Sequence, residues 1–245
     1  MLRDHVLPAA VVGFLLLCGI MIVAMRPAPP EANAVHTSAV AVVELFTSDQ
    51  CNTCEPADRL LSTLHRDAVR NGQPIYALDF HVDRPRPSSA SDPYGQTAIA
   101  DRQLRYAETL GDRVYTPQMV VNGQHAFVGS DDFHARRTIA EALRQQAPLK
   151  LLTTATVRRQ GGLEVNVDVT GRSQKAILNV AVVASENDEE AHVVQSFDSR
   201  PMERNLTLNL PLPVDVSPEA VSVITYAQDA QTLAVLGATR TQTEL

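Results

Sequence analysis

Ala39-Val40-Ala41-Val42-Val43-Glu44-Leu45-Phe46, followed by Thr47-Ser48-Asp49-Gln50 and then Cys51-Asn52-Thr53-Cys54, is the stretch on which the reading of this chain turns. The leading segment is rich in Val with Leu and Phe, and it reads as a buried strand that stops at a polar loop. Beyond the cysteines, Ala57, Leu60, Leu61, Leu64 and Ala68 recur at helical spacing, and Asn71-Gly72 closes that helix. The order is strand, Cys-x-x-Cys, helix. At a helix N-terminus, unpaired N–H groups and the positive end of the dipole stabilise a thiolate, the species that attacks disulfides. Cys51 is therefore expected to be the exposed nucleophile. Cys54, one turn into the helix, is expected to be shielded and to resolve the mixed disulfide. An inert disulfide loop or a zinc knuckle uses the same spacing, but zinc normally takes four ligands and no second close Cys/His pair follows. A redox pair with neither metal nor cofactor is the expectation.

Working outward, residues 74–82 read as a second strand and residues 84–94 as a Pro/Ser-rich loop. Ala100, Leu104, Ala107 and Leu110 mark a helix ending at Gly111. Met119 to Val121 turns through Asn122-Gly123 into Ala126 to Val128, a hairpin signal, and a helix from about Asp131 to Gln146 follows, capped by Ser130. This order matches a minimal thioredoxin-like α/β arrangement, with a helical crossover between parallel strands and a hairpin at one edge. After residue 150 the pattern changes. Leu163, Val165, Val167 and Val169 alternate with Glu164, Asn166, Asp168 and Thr170, and about seven short strands can be drawn to the end of the chain. The expected architecture is a thioredoxin-like domain over residues 35–148 and a smaller all-β sandwich domain over 149–245.

Residues 9–25 form an apolar run preceded by Arg3 and followed by Arg26 and the segment Pro27-Ala28-Pro29-Pro30. This is an export signal. Its length is at the lower edge of what spans a bilayer, roughly 17–25 residues. Residues 1–34 are therefore read either as a membrane anchor or as a signal cut after Ala34, with the rest of the chain extracytoplasmic (periplasmic or secreted). Disulfides form and persist in such compartments. The 21 Lys and Arg against 28 Asp and Glu leave a formal charge of −7, with no basic run interleaved with aromatics, which argues against nucleic-acid binding.

A second feature stands far along the sequence: Thr116-Pro117, just ahead of Met119 to Val121. In the thioredoxin fold a cis-proline loop faces the cysteines, where its backbone can pair with an incoming substrate chain. Val43 to Ser48, the Cys-x-x-Cys with Pro56-Ala57-Asp58 behind it, His81-Val82-Asp83, and Val114 to Gly123 together resemble the secreted family catalogued as domain of unknown function 1223. The resemblance implies a thioredoxin-like domain followed by a β-sandwich, strongly over residues 40–130 and weakly after 150. Arg84-Pro85 stands where that family usually carries Tyr-Trp, and the chain has no Trp at all.

Glu44, seven residues before Cys51, lies close to where thioredoxin-like proteins place a buried carboxylate. It is either a desolvated group that takes the proton of Cys54 or a Glu that reaches solvent. His81 and Asp83 point to one side of the second strand, where they either line the redox cleft or order the following loop. Met119 either joins the two sulfurs in a soft copper site or belongs to the core. The leading expectation is a thiol-disulfide oxidoreductase acting on exported proteins with cysteines, fed by an electron donor the sequence does not name. A copper-handling or metal-delivery module and a non-catalytic interaction protein with a structural CxxC are the rivals. Asn52-Thr53 adds no cation, and Asp49 and Glu55 flank the motif with negative charge, so a moderate Cys51 pKa and a reducing or isomerising role are expected.

Overall fold

The computed structural model describes residues 39–48, 51–82, 96–159, 162–173, 175–184, 192–212 and 216–244. The N-terminal apolar run, Asp49 and Asp83 lie outside them. Among the described residues no helix is long and apolar enough to cross a membrane.

Strand β1 (Ala41–Thr47) is buried along its whole length, as a Val-rich strand covered on both faces should be. It lies between β2 (Ile75–His81), which runs parallel to it, and β3 (Gln118–Val121), which runs antiparallel. Residues Val43 and Leu45 face helix α1 (Glu55–Asn71), sharing a core with Ala57, Leu61 and Leu64. Val42 and Phe46 point the other way, towards Ile99 and Tyr106 of helix α2 (Gln96–Leu110). The period-2 alternation of a strand sets this division. Gly72, at φ 61°, ends α1 with paired turns back to Val69 and Ala68.

Strand β4 (His125–Val128) follows β3 through Asn122 and Gly123, both left-handed at φ 47° and 68°, the turn expected of Asn-Gly. Helix α3 (Asp132–Ala142) is shorter than its sequence pattern suggests. Its cap is Asp131, whose side chain accepts from the His134 N–H, rather than Ser130. The later strands fall where alternation places them: β5 (Leu149–Val157), β6 (Leu163–Gly171), β7 (Ala176–Ala184), β8 (His192–Pro201), β9 (Asn205–Leu210), β10 (Val221–Asp229) and β11 (Val235–Glu244).

Their assembly overturns the expected fold class. The chain does not form an α/β thioredoxin-like domain with a separate β-sandwich behind it. All the strands among the described residues join one mixed sheet of eleven, in the order β4-β3-β1-β2-β8-β7-β10-β11-β5-β6-β9, accompanied there by three α-helices and a short 3-10 turn at Pro218–Ala220. The continuity has two physical causes. The outer edge of β2 is not left open, because Leu78 and Asp79 pair in parallel with His192 and Val193 of β8. One apolar core also serves both halves: Phe46, Phe80 and Tyr106 pack with Phe197, Ile224 and Tyr226, with the rings of Phe80 and Phe197 edge to face at 5.4 Å. The inward residues of β5, β6 and β9 do bury against a second face, as alternation requires. That face comes from β7 and β10 of the same sheet.

Candidate functional site

β1 delivers the chain to the cysteines. The N–H of Cys51 donates to Ser48 O at 2.9 Å and that of Cys54 to Cys51 O at 3.1 Å, so two tight turns bring the thiols together before α1 starts. The sulfurs are bonded, with the two Cα atoms 5.5 Å apart, within the ordinary range for a disulfide. Cys54 is the N-cap of α1, not a residue one turn inside it. Both sulfurs therefore stand ahead of the first helical turn, at its positive end. Cys54 is only 4% exposed, whereas Cys51 is half-buried and its Sγ lies 3.6 Å from the Thr53 hydroxyl, a neutral group. Glu55, which was expected to load the motif with negative charge, shares that charge with Arg59 one turn on.

The Thr116-Pro117 bond is cis, and its surroundings put it beside the cysteine helix. The N–H of Gly129 donates to Pro117 O at 3.0 Å. A side chain at Gly129 would meet Ala57 Cβ and Pro117 Cβ at 3.1 Å each and Leu45 Cδ1 at 2.6 Å. Pro117 and Ala57, three residues past Cys54, thus close on a gap that only glycine fits.

Glu44 is not at this site. It is completely buried on the opposite face of β1, where Arg102 of α2 holds it through Nε at 2.5 Å and Nη2 at 2.7 Å and the Tyr106 hydroxyl donates to it at 2.7 Å. Desolvation alone would lower the Arg102 pKa, but the Glu44 carboxylate overrides it and the guanidinium stays charged. Arg102 also donates to Asn179 Oδ1 and Gln228 Oε1 of the later strands. The one-residue alternation of a strand separates Glu44 from its neighbours Val43 and Leu45, and that alternation was the available signal.

The carboxylates on the cysteine face are two that sequence reasoning did not select. Asp79 shares a face of β2 with His81 and is 9% exposed; it accepts from Thr47 Oγ1 at 3.2 Å, and His81 Nε2 lies 3.2 Å from its other oxygen. His81 is thus partnered by Asp79; Asp83 lies outside the described residues. Asp58 follows Cys54 by four residues, a spacing that puts side chains on one helix face and could have been read directly. Burial pushes the Asp58 carboxyl up to about 6, the charge of Asp79 adds to the shift, and His81 opposes it. Ionising Asp58 in the fold therefore costs free energy. Native stability falls as pH rises from the ordinary value of 3.8 through about 6. Asp58→Asn removes that cost, so its urea midpoint is expected to match the parent below about pH 4, to exceed it by an amount that grows up to about pH 6, and to keep a constant lead above that. A constant difference across pH would contradict this. Met119, the possible copper ligand, is fully buried in the core between β1 and α1.

No curated protein matches the chain. A crystal structure of an Agrobacterium tumefaciens protein is similar to it at 26% identity and a TM-score of 0.59, covering 85% of this chain and 98% of that one. HBP35 of Porphyromonas gingivalis shares the fold at 10% identity and a TM-score of 0.61, over 84% of this chain and 76% of that one. The profile of the family described as "Protein of unknown function (DUF1223)" matches residues 42–228, a span that takes in the cysteine pair, the cis-proline segment and the strands that complete the sheet, and the chain belongs to that family.

Proposed function

We propose that this protein is an extracytoplasmic thiol-disulfide oxidoreductase, working in the reducing or isomerising direction on disulfides of exported proteins. The observation that carries the reading is the unequal pair of sulfurs at the start of α1: Cys51 reachable, Cys54 enclosed. Reduced Cys51 attacks a substrate disulfide as thiolate, bonding to one substrate sulfur and expelling the other. Cys54 then attacks Cys51, re-forming the disulfide and releasing the second substrate thiol, so two electrons pass from the pair to the substrate. The Thr116-Pro117 segment beside α1 offers backbone for an extended substrate chain. Val128, 53% exposed and paired with Gln118, adds apolar surface next to it. The reducing or isomerising direction rests on the motif itself, in which Asn52-Thr53 places no cation between the cysteines. Export rests on the apolar run at residues 9–25.

The test is reduction of insulin by the full-length chain with dithiothreitol as electron source. Cys51→Ser is expected to abolish catalysis, and Cys54→Ala to accumulate a mixed disulfide through Cys51. In reduced protein Cys51 is expected to alkylate faster than Cys54. Turnover retained by Cys51→Ser, or no turnover by the parent chain, would assign the disulfide to bracing a binding protein.

A further inference from the structure

Resolution of the mixed disulfide requires a thiol that is 4% exposed to lose its proton, and water reaches such a group poorly. We propose that Asp58, set against Asp79 and His81, takes up the proton of Cys54 during exchange and returns it; this rests on the oxidoreductase reading above. Cys54 has helical dihedrals, φ −82° and ψ −33°, and its carbonyl accepts the Asp58 N–H at 3.1 Å. The two side chains therefore leave the same face of the first turn, one above the other. Other carboxylates of α1 are paired with arginines, Glu55 with Arg59 and Asp67 with Arg136. Asp58 Oδ1 is enclosed and, among the described residues, meets no hydrogen-bond partner. Glu44, the carboxylate sequence position favoured, is committed to Arg102 across the sheet.

The charged groups around Asp58 act together. Asp79 faces it from β2 and Glu55 from its own helix, both disfavouring its ionised form, while His81 and Arg59 oppose them. With burial as the largest cause, the carboxyl titrates at about 6, between an ordinary carboxylate and a thiol at about 8.5. That value lets it accept a thiol proton with less cost and give it up again near neutrality. In the reducing direction the Cys54 S–H gives its proton to Asp58, and the new thiolate attacks Cys51 Sγ. The Cys51–substrate bond breaks, the Cys51–Cys54 bond forms, and the departing substrate thiolate takes the proton from Asp58. In the reverse direction a substrate thiolate attacks Cys51, and Asp58 protonates Cys54 as it leaves.

The experiment is stopped-flow reaction of the reduced full-length chain with 4,4′-dithiodipyridine, an aromatic disulfide that releases one thiopyridone when Cys51 attacks and a second when Cys54 resolves. In the parent, the second phase is expected to rise with pH through an inflection near 6. In Asp58→Asn the first phase is expected to stay within twofold, while the second slows at least tenfold and loses that inflection. Asp79→Asn is expected to move the inflection to lower pH without changing the first phase. It serves as the reporter should Asp58→Asn not fold. A second phase with unchanged rate and pH profile in both variants would overturn the role of Asp58 while leaving the redox reading intact. Absence of two ordered phases in the parent would instead remove the redox reading. Equal slowing of both phases would make Asp58 a structural group.

Discussion

Arg102→Met is expected to cost the fold about 3–5 kcal/mol, the range for removing one partner of a buried ion pair. The Glu44 carboxylate is wholly buried and accepts two hydrogen bonds from this guanidinium, one on each oxygen. Without it, a negative charge stays in an apolar core with the Tyr106 hydroxyl still donating to it. The loss extends further, because the guanidinium carbon also lies 4.9, 5.0 and 5.2 Å from the ring centroids of Tyr106, Phe197 and Tyr226. Removing both charges is far less damaging than removing one, so the double variant Arg102→Met/Glu44→Met is expected to recover most of the stability. Urea midpoints of the three proteins check this. A single-variant loss below about 1 kcal/mol, the worth of an exposed pair, would mean that water reaches the network.

The second large effect falls at Gly123. A Cβ there would stand 1.9 Å from the carbonyl oxygen of Leu233 and 2.6 Å from Gln228 Nε2, at a backbone φ of +68°. The 1.9 Å contact is with backbone and cannot be relieved by turning a side chain. The β3–β4 turn is seated there by two hydrogen bonds, Val235 N–H to Asn122 O at 3.1 Å and Gln124 Nε2 to Thr232 O at 2.6 Å. Gly123→Ala is expected to lose about 2–4 kcal/mol, combining left-handed strain with forced displacement of the facing β10–β11 connection. Gly72→Ala supplies the control, having a similar φ of +61° and nothing within 4 Å. It should cost only about 1–2 kcal/mol. Because Gln228 belongs to the Arg102 network, Gly123→Ala and Arg102→Met should combine less than additively. Equal losses for the two glycine variants in thermal or urea denaturation would refute the packing argument.

The signals legible in the sequence were local ones. Val-rich β1, the helical recurrence from Ala57 to Ala68, the Asn122-Gly123 turn and the alternation of Leu163 to Val169 each report a backbone conformation within a few residues, and each element formed where expected. The pairing of Leu78 with His192 is set by an open edge and a shared aromatic core assembled from distant segments, and no periodicity carries that information. A β2 edge that looks finished and a tail that looks like a sandwich are therefore one sheet. At the site, the cysteine pair and the cis-proline segment were readable because their spacing and neighbours are local. The carboxylates were not chosen correctly for a different reason. Distance in sequence from Cys51 drew attention to Glu44, while face, which alternation on β1 and the four-residue step from Cys54 to Asp58 both encode, puts Glu44 across the sheet and Asp58 on the cysteine side.

The parallel pairing of β2 with β8 also governs the order in which the protein can be made. A ribosome releases β1, α1 and β2 long before His192 and Val193 exist, so the outer edge of β2 presents unpaired N–H and C=O groups until the last part of the chain arrives. The Cys51–Cys54 bond closes only a three-residue step and needs none of the later strands. In an oxidising compartment the bond can thus close before the sheet is complete, leaving a finished disulfide on an unfinished scaffold. Premature termination before residue 192 yields a polypeptide with its cysteine pair in place and a strand edge exposed, prone to join its own copies.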